Sequence, residues 1–291
     1  MSKKRSKRPA KRARSTPAPR AAVAVATSAK NSVRERVAAM AHITQAVCED
    51  DQKLQSVLTL LRDTDEPTPV RLAALQALQA ASFSASQFES CRADYLATLR
   101  SIAADTDAEL RQRVLGILAR EKDGFAQQRL LEGLDDPDKA LVPPEKALQL
   151  LSYDVHADAY AVARRIVSRP PNAAARREAL RLLAADATSR PVFEKILRDK
   201  EEDPETRRIS ASALQAVAPQ ALQAHAREIV LDPSEPDELQ ETSLTALTQF
   251  GDQDKFAQDD TLMKRVNALN SRKGSAKLKQ VAGRFLTKYR G

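Results

Sequence analysis

The chain is poor in the residues that aromatic cores and base-stacking surfaces need. It has no tryptophan, four tyrosines and seven phenylalanines among 291 residues. So few large rings remove most of the platforms on which unpaired bases stack. Glycine is also scarce, at seven residues, and runs of alternating β-branched residues are absent. Helix-forming Ala, Leu, Gln, Glu and Arg dominate instead, so the composition predicts an all-α fold.

Residues that carry out catalysis or bind metals are few and scattered. Cys48 and Cys91 are the only cysteines, too few for a disulfide framework or a cysteine zinc site. His42, His156 and His225 lie far apart in the sequence. No Gly-rich phosphate loop, His–Glu pair or serine motif on a strained turn occurs. The sequence predicts no catalytic, cofactor-binding or metal-binding residue, and therefore a protein that is not an enzyme.

Long apolar runs are missing as well. No segment approaches the ~20 apolar residues that span a bilayer, so no membrane association is expected. The basic N-terminus followed by residues 21–26 mimics a signal peptide, but this apolar part is shorter than the roughly 7–15 residues that such a peptide needs. An acid-free, Arg-rich leader is also typical of organellar transit peptides. We expect a cytoplasmic protein, and no pattern specifies an oligomeric state.

The main positive feature is a helix that recurs along the chain. Its template is VRLAALQAL at 70–78, with apolar residues and one arginine at fixed offsets. The arginine offset recurs at positions 34, 71, 111, 144, 176, 207, 240 and 279, which is a spacing of 31–40 residues. A period of this length is typical of helical solenoids. The repeats predict about seven to eight stacked helix pairs.

A less regular helix precedes each template helix, and a polar turn joins the two. The twelve prolines beyond residue 20 are predicted to lie in turns or at helix starts, where a missing N–H leaves no hydrogen bond unmade. Asp203, before Pro204, is predicted to cap its helix, and Thr106 with Glu109 fits a capping box.

An Asp- and Pro-bearing turn followed by a helix of the form V-R-x-x-A-L-x-x-L resembles the HEAT-repeat family, over about residues 33–290. The resemblance implies a right-handed α-solenoid whose second helices line the concave side. It also implies a ladder of arginines bonded to turn aspartates of neighbouring repeats, formed by Arg71, Arg111, Arg176 and Arg207. Pro144 breaks this ladder and Gln240 weakens it, so 137–152 is expected to be an irregular unit or a bend.

Some proteins with similar repeats are enzymes. HEAT-like lysine hydroxylases bind iron through His–Glu pairs, which this sequence lacks. In DNA-alkyl glycosylases of this kind the active site resembles an aromatic cleft with an acidic residue. The sparse aromatic residues of this sequence disfavour such a site. Related repeats also occur in bilin lyases, and no residue here distinguishes that role.

Charge is distributed unevenly along the chain. Residues 1–34 hold eleven Lys and Arg, residues 264–291 hold nine, and neither segment has an acidic residue. The segment between them carries a net charge of −12, although the whole chain is at +8. Within it, 164–208 is net positive and 209–263 strongly negative.

The N-terminal segment has the composition of a disordered arm that binds polyanions. The candidate polyanion-binding residues are Lys3, Lys4, Arg5, Lys7, Arg8, Lys11, Arg12 and Arg14. Three other roles stay open: a solubilising tail, docking onto the acidic 209–263 segment or a partner, and a nuclear-import address.

The residues that face away from the stack in the middle of the repeat array are the candidate partner surface. At 100° per residue they occupy the third, seventh and tenth template positions. The candidates are Arg177, Arg181, Arg208, Ser212 and Gln215.

These patterns favour a non-catalytic scaffold or adaptor that binds a protein partner along the concave face. The alternative is a nucleic-acid- or ribosome-associated protein that uses its basic ends. The predicted organisation is a disordered basic tail (1–32), a HEAT-repeat solenoid (33–270) and a basic C-terminal capping helix (271–291).

Overall fold

The computed structural model describes residues 19–272 and 275–290. Within these ranges the chain forms α-helices and short 3-10 segments, and no β-strand. The all-α prediction is confirmed. Every helix in this part of the chain is too short or too polar to cross a lipid bilayer.

The chain divides into two compact units, residues up to 126 and residues from 127 onward. The helices of the first unit are α1 (Pro19–Thr27), α2 (Val33–Met40), α3 (Thr44–Glu49), α4 (Asp51–Arg62), α5 (Thr68–Ser82), α6 (Ala85–Phe88), α7 (Arg92–Ser101) and α8 (Ala108–Arg120). In this unit α1 pairs with α2, α4 with α5 and α7 with α8. The second helices α2, α5 and α8 contact each other in chain order, and so do the first helices α1, α4 and α7.

The second unit repeats this arrangement. Its helices are α9 (Gly124–Asp135), α10 (Pro144–Leu151), α11 (Ala157–Ser168), α12 (Ala173–Leu183), α13 (Arg190–Arg198), α14 (Pro204–Val217), α15 (Pro219–Leu231), α16 (Asp237–Phe250), α17 (Gln253–Ala257), α18 (Asp260–Ser271) and α19 (Ala276–Arg290). Here α11 pairs with α12, α13 with α14, α15 with α16 and α18 with α19. The second helices α10, α12, α14, α16 and α19 contact one another in succession. This order of contacts is expected of stacked helix pairs.

Local sequence explains where the helices begin. Asp203 accepts a hydrogen bond from the Thr206 amide at 3.0 Å, which confirms the predicted cap, and Pro204 occupies the first turn. The capping box at Thr106 was wrong: Asp107 caps α8 by accepting from the Leu110 amide at 2.8 Å. Both residues offer a side-chain oxygen, and the extended backbone of Asp107 places its carboxylate over the free amides.

The sequence predicted that the helical part of the chain starts at residue 33, but it begins earlier, at Pro19. Residues 19–27, which the prediction assigned to the disordered tail, form α1. Ala22, Val23 and Ala26 are buried because their i, i+1 and i+4 spacing puts them on one face of a helix. They pack where α1 contacts α2 and α4.

An arginine ladder crosses the second helices of each unit. Each rung is an ion pair between an arginine of a second helix and a carboxylate of the next turn, and in two rungs both side chains are buried. Arg71 donates from Nε to the Leu61 carbonyl at 3.0 Å and pairs with Asp105 through both Nη atoms. Arg207 donates from Nε to the Leu197 carbonyl at 3.0 Å. It also bonds both oxygens of Glu235, at 2.7 and 2.9 Å.

In two further rungs the carboxylate is half-buried rather than buried. Arg176 bonds the Val167 carbonyl at 3.2 Å and both Glu202 oxygens at 2.6 Å. In the first repeat Arg36, rather than the predicted Arg34, donates to the Ala26 carbonyl at 3.0 Å and to Glu66 at 2.7 Å. Every rung thus joins the end of one first helix to the next turn.

The ladder also departs from the expected partners. Three of its four carboxylates are glutamates, Glu66, Glu202 and Glu235, and only Asp105 is the predicted aspartate. Arg111 differs again, because its Nη1 donates to the Asp105 carbonyl at 2.5 Å in the turn before its own helix.

Acid should weaken this ladder. Burial alone would raise the pKa of Asp105, but hydrogen bonds from Arg71 and from the Asp107 amide outweigh it and leave the pKa below its ordinary value. Hydrogen bonds from Arg176 lower the pKa of Glu202 in the same direction. A carboxylate whose pKa is lowered by folding stabilises the folded state at pH values above its unfolded pKa, which is about 4. This stabilisation is lost as the pH falls through the folded-state pKa.

We therefore expect the free energy of unfolding in urea to decrease steadily below about pH 4. Asp105→Asn should flatten this dependence, while Asp138→Asn, at an exposed position in the second unit, should leave it as it is. An equal pH slope for Asp105→Asn and the parent chain would contradict the assignment.

Candidate partner-binding surface

The five predicted partner-binding residues lie on two adjoining second helices of the second unit. Arg177 and Arg181 are on α12, and Arg208, Ser212 and Gln215 are on α14. Helices α12 and α14 contact each other. Arg181, Arg208 and Ser212 are exposed, and Arg177 and Gln215 are half-buried.

Glu205 links the two helices, and the sequence analysis did not single it out. Arg208 donates to both of its oxygens, at 2.9 and 2.8 Å. Arg181 lies 3.8 Å from the same carboxylate and bonds Glu178 on its own helix at 2.5 Å. Two of the predicted arginines therefore already have carboxylate partners within the chain.

The pKa shifts agree with this pairing. The hydrogen bonds from Arg208 lower the pKa of Glu205 below its usual value. The same bonds raise the pKa of Arg208. Because both side chains are well exposed, such pairs contribute little to stability, at most about 1 kcal/mol. A partner carboxylate can exchange with them at low cost.

Arg177 is different from its neighbours. It lines a depression of about 380 Å³ between α10 and α12, together with Glu145, Lys146, Gln149, Ala174, Glu178 and Arg181. The nearby carboxylates are engaged elsewhere, since Glu145 accepts from Asn172 at 3.2 Å and Glu178 accepts from Arg181. Within the described chain Arg177 forms no hydrogen bond or ion pair. Its guanidinium keeps five N–H donors for a group from outside.

The remaining two predicted residues show less specific contacts. Gln215 donates from Nε2 to Gln249 Oε1 at 3.1 Å, which extends the surface from α14 to α16. Ser212 is exposed on α14. The sequence signal that would have found Glu205 is its i, i+3 spacing from Arg208, a spacing that pairs opposite charges on a helix.

The predicted polyanion-binding residues, Lys3 to Arg14, lie outside the described residues. Within the described residues, the histidines and cysteines lie apart from one another. His42 and His156 are exposed, His225 is buried in α15, and no group of three or more His, Cys, Asp and Glu within 19–272 and 275–290 is placed to hold a metal ion. Cys48 and Cys91 are free thiols, and burial raises the pKa of Cys48, which disfavours its reactive thiolate.

No protein-family model matches the chain, and no curated protein does. Among solved structures it is similar to a chain of the complex of CpcE and CpcF of phycocyanin lyase from Nostoc sp. PCC7120. The TM-score is 0.42 and the sequence identity 17%, and the likeness covers 92% of this chain and 99% of that one.

This finding corrects one prediction. The sequence analysis expected a protein that is not an enzyme, and a chain of similar structure belongs to a lyase. Function resides in sites added to a fold, so a helical array without a catalytic motif does not by itself exclude catalysis. We therefore do not retain the prediction.

Proposed function

We propose that this chain is a scaffold or adaptor that holds a protein partner along the outward surface of its second helices. In this proposal the helix pairs form a HEAT-like, right-handed α-solenoid of seven to eight repeats, and that surface is its concave side. In the proposed domain organisation the basic tail is followed by the solenoid and a basic C-terminal helix. The start of the solenoid is moved from residue 33 to Pro19, so that it includes α1.

The observation that supports this proposal best is the state of Arg177. It is half-buried in a depression and has no partner among the described residues. An arginine of this kind recognises a carboxylate by two parallel hydrogen bonds. Arg181 and Arg208 add positive charge beside it, in exposed pairs that a partner can rearrange. An acidic surface of a folded partner or an acidic peptide fits this arrangement.

The test compares two charge reversals in the full-length chain. Arg177→Glu is expected to reduce retention of the cellular partner, captured by cross-linking and mass spectrometry, by at least about tenfold. Lys195→Glu makes the same charge change on the exposed side of the first helix α13 and should retain the partner. Equal retention by both variants would argue against the surface.

The basic N-terminal segment supplies the alternative function. Its eleven cations without an acidic residue would attract nucleic acid with a steep salt dependence. Removing residues 1–18 leaves α1 intact. If this shortened chain loses ribosomes or nucleic acid but keeps its protein partner after nuclease treatment, the two functions are separate and the scaffold proposal stands.

A further inference from the structure

One rung of the arginine ladder is replaced by two prolines. In the second unit each ladder carboxylate stands five residues before the next ladder position, as Glu202 precedes Arg207 and Glu235 precedes Gln240. The residue five positions before Arg176 is Pro171, and the preceding ladder position is Pro144. Both halves of the ion pair are therefore lost together.

The acceptor that belongs to this rung is still present. The Arg207 guanidinium bonds the carbonyl ten residues before it, that of Leu197. Ten residues before Pro144 is Leu134, whose carbonyl instead accepts from Arg165 Nη2 at 3.3 Å. Arg165 approaches from α11 and also pairs with Asp135. The space that an arginine and a carboxylate fill in the other rungs is left open.

That space is an apolar cleft of about 570 Å³. Pro144 and Pro171 line it, together with Leu134, Pro137, Ile166 and Pro170. A volume of this size lies within the ~300–1,000 Å³ of ordinary ligand clefts. Proline has no N–H to donate and a fixed φ, so the proline positions of the wall are stiff and offer no backbone donor.

Gly133 shapes one side of the cleft. A Cβ at this position would lie 2.8 Å from the Cα of Ala140, closer than a real contact allows. Glycine therefore lets the end of α9 pack directly against the segment that follows it. The cleft is a preformed part of the fold.

The charge around the cleft selects the occupant. Its described lining includes two arginines and no carboxylate. Arg165 is paired with Asp135, whereas Arg169 is exposed and has no partner in the described part of the chain. The uncompensated cation beside an apolar cavity favours a ligand with an apolar group next to an acid.

We propose that this cleft is an anchor pocket for an acidic peptide segment of the partner protein. One aliphatic or aromatic side chain of the peptide occupies the space between Pro144, Ile166 and Pro171, and an adjacent carboxylate pairs with Arg169. Buried anchors in preformed pockets dominate the energetics of such interfaces. The inference rests on the proposed scaffold function and names the chemistry of its partner.

The experiment selects peptides from a random library on the immobilised full-length chain. The counter-selection uses the double variant Pro144→Arg with Pro171→Glu, which rebuilds the missing ion pair and fills the cleft. We expect the recovered peptides to share an aliphatic or aromatic residue beside Asp or Glu. Recovery of the same peptides by the filled variant, or of peptides without this feature, would overturn the proposal.

Fluorescence anisotropy of a labelled, selected peptide then measures the role of the rim. Arg169→Glu is expected to weaken binding by about tenfold or more. The substitution leaves the packing of the core unchanged because Arg169 is exposed. The matched control is Arg284→Glu, an exposed arginine on α19, which should bind as the parent chain does. Equal weakening in both variants would show that the change in net charge explains the effect, and it would overturn the assignment of the cleft as the peptide site.

Two further outcomes separate this inference from the proposed function. Peptide binding that is lost in Arg177→Glu but kept in the filled variant and in Arg169→Glu would overturn the cleft and leave the scaffold surface in place. Displacement of the peptide by dodecanoate supports an apolar carboxylate site. Binding of dodecanoate with no peptide enriched would show a small-molecule site and overturn the peptide assignment.

Discussion

Replacing Glu235 by alanine is expected to lower the free energy of unfolding by about 3–5 kcal/mol, the range for a buried ion pair that loses one partner. Arg207 is 3% exposed and Glu235 7% exposed. Glu235 accepts hydrogen bonds from both Nη atoms of Arg207. Without it, the Leu197 carbonyl is the one hydrogen-bond acceptor that the guanidinium keeps among the described residues, and its charge stays buried with no counter-ion bonded to it there. Urea titration of the full-length chain measures the effect.

Two controls separate this mechanism from a general loss of contacts. Glu205→Ala removes the exposed carboxylate that pairs with Arg208 and should cost at most about 1 kcal/mol. Arg207→Met combined with Glu235→Leu removes both charges, and it should recover most of the stability that Glu235→Ala loses, because no unpaired charge remains. If the double variant were as unstable as Glu235→Ala, packing rather than charge would explain the loss.

The spacing of the repeats was sufficient to predict the helices, and the resemblance to HEAT repeats implied most of the ladder. Arg71, Arg176 and Arg207 lie on the apolar side of their helices at 100° per residue, and the structure places all three between neighbouring turns. The first repeat was misaligned because Arg34 and Arg36 both fit the pattern. The capping box of Ser32 and Glu35 decides between them: it starts α2 so that Arg34 is exposed and Arg36 buried.

The two candidate sites differ in how far the sequence could predict them. The positions of Arg181, Arg208 and Ser212 on the solvent side follow from helical periodicity. The pairs of Arg181 with Glu178 and of Arg208 with Glu205 also follow from it, because each has i, i+3 spacing on one helix. The approach of Arg181 to Glu205 on the adjoining helix needed coordinates. The cleft at Pro144 is the opposite case. The absence of both ladder partners was visible in the sequence as Pro144 and Pro171. Its volume and the position of Arg169 depend on how α9 to α12 pack, which periodicity does not specify.

The position of a leucine in the stack should determine how much its removal costs. Leu214→Ala is expected to lower the free energy of unfolding by about 2–5 kcal/mol, because it removes buried methyl groups and leaves a cavity. Leu214 is fully buried on α14, which contacts α12 on one side and α16 on the other. A loss at this position weakens the contacts with both neighbours.

The matched comparison is Leu278→Ala on α19. Leu278 is also buried, at 3% exposure, but the main contacts of α19 in the described chain are with helices that precede it, α16, α17 and α18. In a stack whose repeats interact only with their neighbours, an end helix separates from the rest at lower cost, so its substitutions affect global unfolding less. We expect Leu278→Ala to cost clearly less than Leu214→Ala in urea titrations with equal m-values. Equal costs would show that the second unit unfolds as one cooperative core and would contradict stacking of quasi-independent repeats.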